Sequence, residues 1–219
     1  MGKAKTYPDF WLSYEASLKT NLPSQLEDNI FVVLDTETTG LDIKKDRILS
    51  IGALTIKNSA IKANEAIEVF VQQERYSSES AKIHGILKKD SEGQLTELEA
   101  LQKLLKMLKG AIIVAHHAKF DVTMINNALK RNGLPKLMNK SLDTSTLYSK
   151  TLSRRDRENL GGHFSLDHLA HEFNVPKGDR HTALGDAYIT AVAFLHIISK
   201  LKPASLNNLL KKDRFWPFW

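Results

Sequence analysis

Two uninterrupted apolar runs constrain this chain most: Ile30 to Leu34, rich in β-branched residues, and Ala111 to Ala115. Both have strand length. Runs without polar alternation belong to strands covered on both faces. Ile48 to Ile56 and Ala66 to Val71 read as further strands. Helical spacing appears in Leu95, Leu98, Leu101, Leu104, Leu105 and Leu108, closed by Gly110. Further helices are expected over Phe120 to Asn132, Leu166 to Phe173 and Thr182 to Leu201. Strands first, then strand and helices alternating, predict an α/β domain: a mixed sheet flanked by helices. The domain is expected over residues 29–201. Residues 1–28 read as an N-terminal helical extension, with Phe10, Trp11, Tyr14 and Leu18 at helical spacing. Residues 202–219 form a basic and aromatic tail ending Phe215-Trp216-Pro217-Phe218-Trp219.

Composition removes several function classes. With 42% hydrophobic and 26% charged residues, the chain is neither disordered nor collagen-like. It has no cysteine, which excludes a disulfide framework, a thiolate metal site and a cysteine nucleophile. That also fits a reducing, cytoplasmic setting. No apolar run approaches the ~20 residues of a membrane span, and the N-terminus lacks a signal-peptide core. Gly2 and Thr6 match the loose myristoylation pattern, but one acyl chain anchors poorly. No membrane partner is expected. Lys+Arg exceed Asp+Glu by 31 − 25 = 6. A positive balance suits a phosphate-backbone partner and equally suits simple solubility.

Chemistry-bearing residues fall where the elements end. Asp35-Thr36-Glu37-Thr38-Thr39-Gly40 follows the first apolar run. Side chains two apart on a strand share a face, so Asp35 and Glu37 project together. Keeping both ionised is costly without a cation between them, and hard oxygen donors favour Mg²⁺ or Mn²⁺. A solvated acidic turn is the competing reading of this segment alone. His116-His117-Ala118-Lys119-Phe120-Asp121 follows the second run and opens a helix. Asp121 sits in or near its first turn, where a carboxylate also complements the helix dipole. In Arg180-His181-Thr182-Ala183-Leu184-Gly185-Asp186, Thr182 is an N-cap candidate and Asp186 lies just inside the helix. A bend before Thr182 would let His181 and Asp186 reach one site. Gly185 costs a helix ~1 kcal/mol relative to Ala, which close backbone approach or tight packing would explain. Four carboxylates and one histidine are the parts for two-cation phosphoryl chemistry, with the histidine as general base.

These three segments, in this order and spacing, resemble the three motifs of the DEDDh exonucleases. That group includes the proofreading epsilon subunit of bacterial DNA polymerase III and ribonuclease T. The resemblance spans about Ile30 to Lys200. It implies a ribonuclease H-like fold and 3′→5′ removal of nucleoside monophosphates. It makes Asp35, Glu37, Asp121 and Asp186 ligands of two divalent cations, Mg²⁺ or Mn²⁺, and His181 the general base. Thr38 and Leu41 match positions that cradle the terminal nucleotide. Ile83-His84-Gly85-Ile86 resembles the family's His-Gly-Ile segment near that nucleotide; alternatively His84 merely starts a helix. Relatives carry Asn where this chain has His117, which changes the donor and acceptor set expected to meet the substrate backbone. The implied partners are a single-stranded or frayed 3′ end of DNA and a DNA polymerase subunit. Two alternatives stay open: an RNA-directed exoribonuclease, and a non-catalytic, polymerase-associated single-strand-binding subunit. Arg154, Arg155 and Arg157 lie in a charged loop, Ser153 to Gly162, that either tracks phosphates or is merely solvated.

Overall fold

Five strands form one mixed sheet in the computed structural model, which describes residues 6–74, 78–86, 93–162 and 164–213. Gly2, His163, Arg214 and the aromatic tail lie outside the described residues. The strands are β1 (Phe31–Thr38), β2 (Ile48–Lys57), β3 (Ala60–Phe70), β4 (Ile112–Ala115) and β5 (Ser141–Asp143). Their spatial order is β3-β2-β1-β4-β5. β1 pairs antiparallel with β2 and parallel with β4; β4 pairs parallel with β5. Helices α1 (Asp9–Ser17), α2 (Ser78–His84), α3 (Glu97–Met107), α4 (Ala118–Arg131), α5 (Thr144–Ser149), α6 (Arg154–Asn159), α7 (Leu166–Glu172), α8 (Ala183–Leu201) and α9 (Leu206–Lys212) complete the described fold. The expected mixed sheet flanked by helices is what forms.

Strand alternation decides which layer each residue meets. Val32, Leu34, Ile113 and Ala115 join a core with Leu101 and Leu104 of α3 and Met124 and Ile125 of α4. Phe31, Val33, Ile112 and Val114 join the opposite core with Phe194 and Ile197 of α8 and Leu147 of α5. Both faces are covered, so neither run has a polar side.

The chain ends contribute to these cores. Trp11 and Tyr14 of α1 are fully buried. The Tyr14 hydroxyl donates to Asn139 Oδ1 at 2.5 Å and accepts the Met138 amide at 2.9 Å. Leu206 and Leu209 of α9 are buried in the second core. The expectation that no segment approaches spanning length needs correcting: α8, of 19 residues, is long and apolar enough by length and composition. It packs instead on β1 and β2, and it carries the buried Asp186.

Two local readings change. β3 begins at Ala60 rather than Ala66, because Asn58 and Ser59 (φ 52° and 56°) turn the chain tightly from β2 into it. Positive φ at both central residues is the type I′ hairpin requirement, and no glycine marks this one. The segment Ser153 to Gly162 is not all loop: Ser153 caps α6, and Arg154 pairs with Glu158 at 2.9 Å. Six residues are too few to display a helical period.

Candidate active site

The site grows from the C-terminal end of β1. Asp35 and Glu37 continue the side of β1 that carries Phe31 and Val33, toward α8. Asp186 stands in the first turn of α8. Carboxylate oxygens of Asp35, Glu37 and Asp186 lie within 4.8 Å of one another. Asp121, in the first turn of α4, lies beside this triple and outside it. It is 3% exposed, and its Oδ1 accepts the Thr36 hydroxyl at 2.7 Å. Thr36 belongs to the opposite side of β1, so Asp121 approaches from the α4 layer. Its proximity is still felt: after burial, Asp121 is the largest influence raising the Asp35 pKa.

Burial first, and repulsion between neighbouring carboxylates second, push the pKa of these acids up. Asp35 is raised well above the usual carboxylate range, first by burial, then by Asp121, Asp186 and Glu37. Glu37 is pushed up to about 7 by burial and then by Asp186. Asp121 reaches about 7, with burial outweighing the Thr36 hydrogen bond. Asp186 is raised by burial against the pull of Arg180. Such a cluster is satisfied by protons or by cations.

Close backbone approach fixes how near α8 comes. Gly52 of β2 is the cross-strand partner of Asp35. A Cβ on Gly52 would sit 2.1 Å from the Ala183 carbonyl carbon and 2.2 Å from the Leu184 nitrogen. Across β3, Glu68 pairs with Gly52 and accepts the Leu184 amide at 3.2 Å. Gly185 has a parallel reason: its Cβ would meet the Asp179 carbonyl oxygen at 2.0 Å. Gly52→Ala is expected to cost about 1–3 kcal/mol through overpacking. Urea unfolding checks this.

His181 occupies the bend before Thr182, with φ 68°. Its amide donates to Asp186 Oδ1 at 3.3 Å, and Thr182 caps α8 by accepting the Gly185 amide. The His181 side chain is exposed and lines a cavity of about 360 Å³ with Ser50, Glu68, Phe70 and His84. Ser50 is the cross-strand partner of Glu37, so this cavity adjoins the carboxylates. His84 ends α2 rather than starting a helix; its Nδ1 accepts the Ile86 amide at 3.1 Å. Thr38 donates to the Gly40 carbonyl at 2.7 Å. Leu41, in the loop after β1, is 84% exposed. His117 is the exposed N-cap position of α4 in the left-handed region, φ 60°, a conformation His tolerates better than most residues. Its ring lies 4.4 Å from that of His116. His116 is buried against the Thr144 hydroxyl at 3.0 Å. Burial, then His117, drives its pKa down to about 3.

Arg180, Asp167 and Glu68 are the participants the sequence reading left without roles. Arg180 stands beside His181 in the quoted motif; its pairing with Asp186 in that motif and with Asp167 of α7 ties the two segments together.

Residues 32–194 match the family model described as Exonuclease. The chain is 38% identical over 183 residues to a PolC-type DNA polymerase III of Caldanaerobacter subterraneus subsp. tengcongensis, covering 82% of this chain and 12% of that protein. It is 36% identical to a DNA polymerase III subunit epsilon-like protein of Rhodobacter capsulatus, covering 84% of this chain and 26% of that one. It is 30% identical to the DNA polymerase III subunit epsilon of Aquifex aeolicus, covering 80% and 84%. Its fold matches E. coli Exonuclease I in complex with a dT13 oligonucleotide, with a TM-score of 0.69 at 15% identity, over 80% of this chain and 42% of that one. Exonuclease X in complex with 5′ overhanging duplex DNA matches with a TM-score of 0.61 at 22% identity, over 84% and 99%. The chain thus spans a small part of its PolC-type relative and most of its Aquifex one. By family match and by kinship to these relatives, the chain belongs to the exonuclease family.

Proposed function

We propose that this chain is a DEDDh-type 3′→5′ exonuclease acting on single-stranded or frayed DNA ends. Asp35, Glu37, Asp121 and Asp186 hold two divalent cations, Mg²⁺ or Mn²⁺, and His181 is the general base. The observation that carries the reading is the convergence of Asp35, Glu37 and Asp186 oxygens within 4.8 Å. The donor set fits the cations: every ligand is a hard carboxylate oxygen, and the raised pKa values mark a pocket short of positive charge. Bound there, the cations would polarise the terminal phosphodiester and ease deprotonation of the attacking water.

The protein's own groups do the rest. The His181 amide steadies one Asp186 oxygen, and the exposed imidazole, whose Nδ1 lies 3.4 Å from Arg180 Nη1, takes a proton from water. The adjoining cavity is sized for a nucleoside, with Phe70 offering a half-exposed aromatic face for stacking. His84 contributes to the cavity wall, and Thr38, Leu41 and His117 border the substrate path. A DNA substrate and association with a polymerase are supported by the relatives' names and by the oligonucleotide in the Exonuclease I structure. Kinship to bacterial replication proteins supports a cytoplasmic site.

A 5′-labelled oligonucleotide with Mg²⁺ tests this reading. It should shorten stepwise from its 3′ end, faster than a matched RNA, and stay intact in EDTA. His181→Ala should slow the reaction by roughly 10²–10⁴-fold with Mn²⁺ binding retained. Internal cleavage, or a His181→Ala variant at full rate, would refute it.

A further inference from the structure

Arg180 already occupies the carboxylate pocket. Its side chain is 17% exposed. One arm, Nη1, is ion-paired with Asp186 Oδ2; the other, Nη2, donates to Asp167 Oδ2 at 3.1 Å. The guanidinium therefore bridges an inner carboxylate of the triple and an outer one. Asp167 opens α7, is 48% exposed, and also takes Lys177 at 3.3 Å. Asp186 has few free positions. Its Oδ1 faces the His181 amide, and its Oδ2 is held by Arg180. An ion ligated by Asp186 therefore competes with Arg180 for the same oxygen. A planar fork with a second carboxylate already in hand can let go at one end and remain paired at the other.

We propose that Arg180 is the resident counter-cation of this pocket: it neutralises Asp186 until divalent ions enter, then retires onto Asp167, which thereby tunes metal affinity. The proposal rests on the metal-binding role assigned above to Asp186. In the ion-free state Arg180 supplies part of the positive charge that keeps a buried acidic cluster tolerable. On loading, that charge becomes redundant and its attraction to Asp186 opposes the ion. Arg180 and Asp167 act here as positioning residues, through Asp186.

Mn²⁺ titration calorimetry on the full chain tests this, together with thermal unfolding with and without Mn²⁺. Arg180→Gln should tighten Mn²⁺ binding by about tenfold, the scale of a typical coupling energy. It should also lower the melting temperature of the ion-free protein, so that the Mn²⁺-induced rise grows. Asp167→Asn should weaken Mn²⁺ binding by about fivefold and should have no effect once Arg180→Gln is present. Unchanged or weaker binding in Arg180→Gln overturns the proposal, as does an Asp167→Asn effect that persists in the double variant. If Arg180→Gln folds only with Mn²⁺, Asp167→Asn alone decides, since unaltered affinity there overturns the handover. A wild-type protein that binds no Mn²⁺ instead defeats the exonuclease reading itself.

Discussion

Asp35→Asn should abolish nuclease activity, by about 10³-fold, the upper scale for losing one electrostatic element of a site. The same change should stabilise the ion-free protein. Asp35 is flanked by Asp121, Asp186 and Glu37, and each raises the cost of its charge. An amide of the same shape removes that repulsion and keeps the volume, so the fold gains while one proposed metal ligand is lost. Oligonucleotide turnover and thermal unfolding in EDTA on one preparation check both halves. A variant that loses activity by losing its fold would show the opposite stability change.

Stability of the ion-free protein should fall as pH rises through neutrality. Glu37 and Asp121 are pushed up to about 7 in the folded state, against ordinary values of 4.5 and 3.8. Between those values the folded state holds protons that the unfolded chain has released. Stability from these groups is therefore full below about pH 4, falls as pH climbs from there, and is lost once pH has risen through 7. Asp213, pushed up to about 6 by burial, has the same sign. His116 has the opposite sign: held at about 3 against 6.5, it costs stability as pH falls below 6.5. Above pH 6.5 only the carboxylate slope remains. Melting temperature in EDTA should decline from about pH 6.5 to 8, and Mg²⁺ should restore more stability at the upper end, where ions no longer compete with protons. A flat profile in EDTA would contradict the clustered acids.

Strongly patterned elements were legible in the chain itself. β1, β4 and α8 carry long apolar runs or a full helical stripe, and they also deliver Asp35, Glu37 and Asp186. For His181 and Asp186 to reach one site the chain must bend before Thr182, and the structure has a positive φ at His181. Short elements were not legible. β5 has three residues, α5 and α6 six each, too few for periodicity to accumulate. The first half of β3 is largely exposed and mixes Lys62, Asn64 and Glu65 with small apolar residues, so it lacks an apolar signature. Relative offsets were also hidden. Spacing gathers four acids at one end of the sheet, yet only packing sets Asp121 against Thr36 and beside the triple. Likewise Glu68 on the Leu184 amide is a contact between distant segments, and Arg180 reaching Asp167 of α7 is a contact between neighbouring elements, which chain order does not encode.

Anomalous diffraction from Mn²⁺-soaked crystals tests the central claim most directly. Manganese peaks should appear between the carboxylates of Asp35, Glu37 and Asp186. An empty carboxylate pocket in crystals of protein that degrades DNA with Mn²⁺, or manganese bound elsewhere, would contradict the account.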